Sequence, residues 1–224
     1  MKRLVLVVVV VVVAGSLGLA RSADAKCAMQ HLSAEVLPDA PGGAIVMLTS
    51  SSYDDPGTDD TSTWKLRVAG QTIAPVIDVL APGLSVYRVP KGLTEAELTD
   101  GTSTLAKIGA RTGKPLPAPV VTSVTHSSPD GGRYRSSRTT AEIRGDVPAD
   151  AIAVVITDAK GTALSWGRVN VPGAAVTPYF HGRCGVLPNG TVEPKVGSRV
   201  RLFWVDKYGR ASAKSAAIKV AKAP

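Results

Sequence analysis

Short apolar segments with a two-residue alternation recur along almost the whole chain, and Gly, Pro, Asp and Ser separate them. Successive side chains of a strand point to opposite faces, so this alternation is typical of strands that bury one face. No segment keeps a 3.6-residue periodicity over the length of a helix. The sequence therefore predicts an all-β fold, and turn residues at intervals of about 8 to 12 residues favour β-sandwiches.

The predicted strands fall into two groups of similar style. In the first half, alternation predicts strands at residues 32–37, 44–50, 63–69, 72–80, 84–89, 95–98 and 103–108. In the second half, the inward rows are Val120, Thr122 and Val124, then Ala141 and Ile143, then Ile152, Val154 and Ile156, then Val200, Leu202 and Trp204. A last strand is expected near residues 211–220. Trp64 and Trp204 are expected to fill cores, because each lies in an alternating strand.

The stretch RVRLFWVDKYGRAS, residues 199–212, combines the last inward row with a turn that contains Gly209. It resembles the penultimate strand, turn and last strand of fibronectin type III and related bacterial immunoglobulin-like domains. The rest of residues 118–224 shares only the spacing of strands, and no tyrosine precedes Arg199 to make the corner contact of such domains. The resemblance implies a sandwich that serves as a binding, spacer or adhesion module.

Gly and three prolines concentrate in ARTGKPLPAP, residues 110–119, which is typical of an interdomain linker. We therefore predict two immunoglobulin-like β-sandwich domains in tandem, at residues 26–115 and 116–224.

The first 25 residues predict export. Lys2 and Arg3 precede an apolar run at residues 4–19, and Ala23-Asp24-Ala25 supplies small residues for cleavage. The alternative is an uncleaved membrane anchor, because the run approaches the length of a membrane span. Cleavage after Ala25 would leave 199 residues without a further membrane span, in the periplasm or outside the cell.

The second predicted domain carries the positive charge. Residues 26–115 contain 8 basic and 10 acidic residues, whereas residues 116–224 contain 15 basic and 7 acidic residues, a net charge of +8. Export argues against a nucleic acid as the partner. An anionic polymer of the cell envelope, or another envelope protein, is the expected partner.

Guanidinium forks suit phosphate, sulfate or carboxylate groups, because each donates two parallel hydrogen bonds. Alternation places several arginines around one tyrosine on outward positions of the second domain. The candidate ligand-binding residues are Arg133, Tyr134, Arg135, Arg138, Arg199 and Arg201. The alternative is an ordinary basic face in contact with solvent.

Four aspartates lie in one loop, SYDDPGTDDTS at residues 52–62, and carboxylate oxygens are the ligands that Ca²⁺ prefers. The candidate calcium ligands are Asp54, Asp55, Asp59 and Asp60. Their spacing matches no EF-hand loop, so a solvated acidic loop is the favoured interpretation.

The two cysteines allow two interpretations. An exported chain favours a Cys27–Cys184 disulfide, which would close a loop of 156 residues and tie the mature N-terminus to the second domain. The alternative is a Cu(I) site, because Cys27, Met29 and His31 alternate along KCAMQH, and His181 lies three residues before Cys184. The disulfide is the favoured interpretation.

Catalytic motifs are missing from the sequence. The mature chain has three histidines and contains no HExxH, no GxSxG and no glycine-rich phosphate loop. We therefore predict an exported, non-catalytic binding or structural module of the cell envelope that uses no cofactor. The alternatives are a periplasmic copper-binding protein and, third, a hydrolase without a recognisable motif.

Overall fold

The computed structural model describes residues 32–37, 42–50, 61–109, 114–127, 137–169 and 188–224. Within these ranges the chain forms strands, turns and irregular segments and no helix, so the all-β prediction is confirmed. No helix in these ranges is long and apolar enough to cross a membrane.

Fourteen strands are found in the described ranges. The first half contains β1 (Leu32–Val36), β2 (Ala44–Ser50), β3 (Lys65–Val68), β4 (Gln71–Ile73), β5 (Val76–Ala81), β6 (Leu84–Arg88), β7 (Glu95–Thr99) and β8 (Thr104–Gly109). The second half contains β9 (Val121–Ser127), β10 (Arg138–Ile143), β11 (Ala151–Asp158), β12 (Ala163–Arg168), β13 (Arg199–Asp206) and β14 (Ile218–Lys222).

These strands form three sheets. An outer sheet has the order β4-β3-β7-β8, and a middle sheet has the order β1-β2-β6-β5. A six-stranded sheet has the order β10-β9-β14-β13-β11-β12. All pairs are antiparallel except β14 with β9.

The first core lies between the outer sheet and the middle sheet. Leu66 and Leu98 of the outer sheet pack in one cluster with Val46 of the middle sheet. Trp64 and Tyr87 join this cluster with ring centroids 5.8 Å apart. The predicted core position of Trp64 is therefore confirmed.

The second core lies inside the six-stranded sheet. Val124 of β9 and Ala141 of β10 belong to the same cluster as Val154 of β11 and Trp204 of β13. Leu164 of β12, at the other end of this sheet, packs against the same cluster, so one core covers the inner face of the sheet from β10 to β12. Trp204 is fully buried, as its alternating strand predicts.

A third core joins the two halves of the chain. Ile45 and Val86 of the middle sheet pack in one cluster with Val155 of β11 and Phe203 of β13. Successive residues of β11 and β13 thus alternate between the second and third cores, and both strands are buried on both faces. The predicted division at residues 115 and 116 stays a prediction, but the two halves share apolar packing.

Polar contacts fix the same junction. Arg88 of β6 pairs with Asp78 and donates hydrogen bonds to the carbonyls of Gly42 (3.0 Å) and Gly209 (2.6 Å). A Cβ atom on Gly42 would lie 2.4 Å from the carbonyl oxygen of Tyr208, so only glycine fits there. The two halves therefore meet with backbone in close contact.

Four sequence predictions differ from the structure. Of the predicted inward row Val120, Thr122 and Val124, only Val124 is buried. Val121 packs against the second core instead, because a bulge in β9 between Ser123 and Val121 shifts the alternation.

Residues 72–80 form two strands, β4 and β5, because Pro75 between them lacks an N–H for a ladder. Ile152 packs against the third core and not beside Val154, because a bulge between Ala151 and Ala153 reverses the alternation.

The last strand also starts later than predicted, at Ile218. Before it, the Ser212 and Ser215 hydroxyls accept hydrogen bonds from the backbone N–H groups of Trp204 (2.9 Å) and Leu202 (3.0 Å). Two serine hydroxyls therefore bind backbone N–H groups of β13 that the predicted last strand was expected to pair with.

Candidate functional site

Two cations lie side by side on neighbouring strands of the basic half. Arg199 of β13 is directly opposite Lys219 of β14 in the antiparallel register, and both are exposed. The adjacent pair, Val200 and Ile218, packs in the second core. Because successive side chains alternate, Arg199 and Lys219 lie on the opposite face of the six-stranded sheet from the second core. We call this face the outer face of the six-stranded sheet.

Arg201 lies two residues along β13, on the same face as Arg199. Its side chain is half-buried, and its Nε atom is enclosed without a hydrogen-bond partner among the described residues. Opposite Arg201, the hydroxyl of Thr157 on β11 donates to the carbonyls of Asp158 (3.1 Å) and Arg201 (3.3 Å). We call Arg199, Arg201 and Lys219 the cation cluster.

Acidic side chains near the cation cluster are engaged elsewhere. Asp158 is paired with Val200 in the register, so its carboxylate lies on the inner face and accepts from the N–H groups of Gly161 (2.7 Å) and Thr162 (2.8 Å). The hydrogen bonds from Thr162 and Gly161 hold the pKa of Asp158 below its ordinary value.

Glu142 of β10 is on the outer face of the six-stranded sheet, but β9 separates β10 from the strand that carries Lys219. It accepts a hydrogen bond from the Ser123 hydroxyl (2.8 Å), and Ser123 lies between Glu142 and Lys219 in the register. No ion pair joins the cation cluster to a carboxylate in the described part of the chain.

The middle sheet ends beside the cation cluster. Phe203 and Val205 lie on the same face of β13 as Arg199 and Arg201, and the third core buries both. Packed sheets are separated by roughly 10 Å. The cation cluster therefore lies at the foot of a step that the middle sheet forms.

The structure does not bring Arg138 to this cluster. Arg138 is exposed at the start of β10, and β9 and β14 separate β10 from β13. Arg138 is opposite Ser127, four residues along β9 from Ser123. With strands about 4.8 Å apart and a rise of about 3.3 Å per residue, Arg138 lies roughly 20 Å from Arg199. Arg133, Tyr134 and Arg135 lie outside the described residues.

The other predicted sites also lie outside the described residues. These are the calcium candidates Asp54, Asp55, Asp59 and Asp60, and the disulfide or copper candidates Cys27, Met29, His31, His181 and Cys184. All of them stay predictions. Among the residues with described positions, no group of three or more His, Cys, Asp or Glu could hold a metal ion.

His126 is a buried residue at the centre of a polar network. Its Nδ1 atom lies 2.9 Å from the Thr139 hydroxyl and its Nε2 atom 3.8 Å from Glu193, which also accepts from Ser137. A hydroxyl, an imidazole and a carboxylate in sequence can form a catalytic triad. Thr139, however, is 0% exposed, so its hydroxyl cannot reach a substrate. The network joins β9 and β10 to the segment before β13.

A groove of about 920 Å³ lies at one end of the outer sheet. Glycine turns at Gly70 and Gly92 border it, with Leu93 beside them, and the Arg67–Glu97 ion pair (3.9 Å) lies along it. That pair neutralises two of the groove's charges. Alternation along single strands does not predict this groove, because turns from different hairpins form it.

Lys219 was also missed as a site residue. Its position between Ile218 and Val220, both of which pack in the second core, indicates an outward side chain. The pairing of Lys219 with Arg199 depends on the register of two strands separated by an irregular segment. Alternation alone does not give that register.

No protein-family model matches the sequence, and no curated protein matches it. Among solved structures, the chain is similar to a biofilm associated protein, BSP domain, with 18% sequence identity and a TM-score of 0.24. The match covers 86% of this chain and 30% of that chain.

Proposed function

We propose that the protein is an exported, non-catalytic binding module of the cell envelope, and that the cation cluster contacts an anionic envelope polymer. The observation that carries the proposal is the direct pairing of Arg199 with Lys219, beside Arg201, without a carboxylate partner among the described residues. Like charges directly opposite on neighbouring strands destabilise a sheet. A sheet that keeps them together is well suited to bind an anion.

The rigid setting of the cluster supports a binding role. β13 is buried on both faces beyond Arg201, and it pairs with β11 over most of its length. Arg199 and Arg201 are therefore presented on a strand whose backbone is held by two cores, and Lys219 is presented on the strand that pairs with it. A fixed array of charges loses little conformational freedom when a polymer binds.

Retention on dextran sulfate beads across a salt series tests this proposal. Salt elutes the protein because exposed charges are screened within about 8 Å at physiological ionic strength. The triple variant Arg199→Gln/Arg201→Gln/Lys219→Gln should elute at a much lower salt concentration than the wild type, because it lacks the three cations that contact the sulfate groups. The matched control is Lys65→Gln/Lys91→Gln/Lys114→Gln, which removes the same charge from exposed positions of the first half.

The control variant should elute close to the wild type. Equal elution of the triple variant and the control would contradict the proposal, because net charge alone would then explain retention. Circular dichroism of each variant checks that the sheets remain folded.

A further inference from the structure

We propose that Arg199, Lys219 and Arg201 form a discrete site for one tetrahedral oxyanion, a phosphate or sulfate group carried by the polymer. This inference rests on the proposed function, since it names the group that the same surface recognises. A diffuse basic face would attract any polyanion equally. A discrete site selects by the shape and charge of the group that it binds.

The first argument is the spacing of the three cations. Cβ atoms of directly opposed residues on antiparallel strands lie about 4.5–5.5 Å apart, and residues i and i+2 of one strand lie roughly 7 Å apart on the same face. Arg199, Lys219 and Arg201 therefore form a triangle on one face. Long side chains from its corners can converge on a single anion.

The second argument is the enclosed Nε atom of Arg201. This N–H group is buried, and no acceptor in the described residues satisfies it. A buried donor without a partner costs free energy, and more so when the group is charged. The Nη groups of Arg201 are not enclosed in this way and make no hydrogen bond among the described residues, so they can donate to an acceptor outside the protein.

The third argument is the number of donors. The three strand positions supply two guanidinium groups and one ammonium group on one face of the sheet. A planar carboxylate presents two oxygens and a single charge, which suits one guanidinium fork. A tetrahedral phosphate or sulfate group presents three or more oxygens that point in different directions, so donors from several sides can each find an acceptor. The donor set therefore fits a tetrahedral oxyanion better than a carboxylate.

The step beside the cluster favours a polymer over a membrane as the source of the group. The middle sheet rises roughly 10 Å above the face that carries the cations, because sheets pack at that separation. A flat bilayer would meet the middle sheet before its headgroups reached the cluster. An extended polymer chain can lie along the foot of the step.

Thermal unfolding in millimolar sodium phosphate, sulfate, acetate or chloride at equal ionic strength tests this site. Wild-type protein should gain thermal stability in phosphate and sulfate but not in acetate or chloride, because a bound ion stabilises the folded state. Arg201→Gln and Lys219→Gln should lose this gain, whereas the control Lys65→Gln should keep it. Without phosphate or sulfate, both site variants should be at least as stable as the wild type, because a repelling charge is removed.

Equal shifts in all four salts, or equal phosphate shifts in the wild type and Arg201→Gln, would overturn the discrete site. A reduced retention of the triple variant on dextran sulfate would still support the proposed function in that case. Two further probes separate the sources: soluble polyphosphate should displace the wild type from the beads, and phosphatidylglycerol vesicles should not. Displacement by the vesicles alone would overturn the choice of a polymer.

Discussion

At the residue scale, Ala69 adopts a backbone conformation that alanine disfavours. Ala69 and Gly70 form the two-residue turn between β3 and β4, with φ angles of 47° and 80°. A left-handed φ costs roughly 1–2 kcal/mol for most L-residues, and asparagine tolerates it better. Hairpin turns of this kind prefer Asn-Gly.

Ala69→Asn should therefore raise the free energy of unfolding by about 0.5–1 kcal/mol. Denaturant titration measures the change. The control is Ala213→Asn, at an exposed position whose φ is not positive, and it should give no gain. A gain from the control as large as that from Ala69→Asn would contradict the explanation by backbone conformation.

Asp100 is a second residue with a local role. Its Oδ1 atom accepts hydrogen bonds from the N–H groups of Ser103 (2.7 Å) and Thr102 (2.8 Å) and from the Thr102 hydroxyl (2.8 Å). These contacts, led by the Ser103 N–H, hold the pKa of Asp100 below its ordinary value of 3.8. A lowered pKa means that folding favours the charged carboxylate.

The stabilisation from Asp100 should be fully present above its unfolded pKa of about 3.8 and should be lost as the pH falls through the lower folded pKa. Asp100→Asn keeps an acceptor oxygen and removes the charge. The difference in unfolding free energy between wild type and Asp100→Asn should therefore shrink below about pH 4.

Unfolding curves at several pH values measure this difference. The control is Asp146→Asn, at an exposed aspartate that makes no hydrogen bond within the described ranges. A difference for Asp100→Asn that stays constant from pH 7 to pH 2 would show that the charge contributes nothing.

At the element scale, β5 is an exposed edge strand with an apolar surface. Val79 is 72% exposed, Val76 and Ile77 are each 47% exposed, and β5 ends the order of the middle sheet. Its one charged residue, Asp78, is paired with Arg88. An open, apolar edge strand is a site of edge-to-edge aggregation.

Val79→Lys should slow aggregation on heating without lowering the free energy of unfolding, because the side chain already lies in solvent. Light scattering follows aggregation, and denaturant titration follows stability. Val120→Lys adds the same charge at an exposed position outside the strands and serves as the control. Equal protection by both variants would attribute the effect to net charge and not to the edge.

The same scale shows what alternation can predict. The rows Val154–Ile156 and Val200–Leu202–Trp204 lie in one core, as their two-residue spacing predicts. Ile152 does not, because a bulge inserts one residue into β11 and no residue type in AIAVVI marks it. The pairing of Arg199 with Lys219 was likewise not predictable, because register depends on strands that meet only in the folded chain.

At the scale of the whole molecule, the third core joins the two predicted domains. The continuous apolar runs AIAVVI and LFWV are typical of strands buried on both faces, so the sequence contained an indication of this core. The two runs do not indicate which strands cover them, because the middle sheet supplies that face from residues more than 60 positions away in the sequence.

Phe203→Ala should remove packing from the third core at a cost of about 3–5 kcal/mol. Because Phe203 contacts the cluster that contains Ile45 and Val86, amide protection should fall in β2 and β6 as well as in β13. Hydrogen exchange measured strand by strand tests this coupling. Unchanged protection of β2 and β6 would show that the halves unfold independently.

The most direct test of the proposed function is cosedimentation of the protein with isolated cell envelopes of the producing organism. Wild-type protein should sediment with the envelopes at low salt and be released by about 0.5 M NaCl, since counterion competition weakens polyanion binding. The triple variant Arg199→Gln/Arg201→Gln/Lys219→Gln should stay in the supernatant, while the control Lys65→Gln/Lys91→Gln/Lys114→Gln should sediment like the wild type. Equal sedimentation of wild type and triple variant at every salt concentration would contradict a role for the cation cluster in envelope binding.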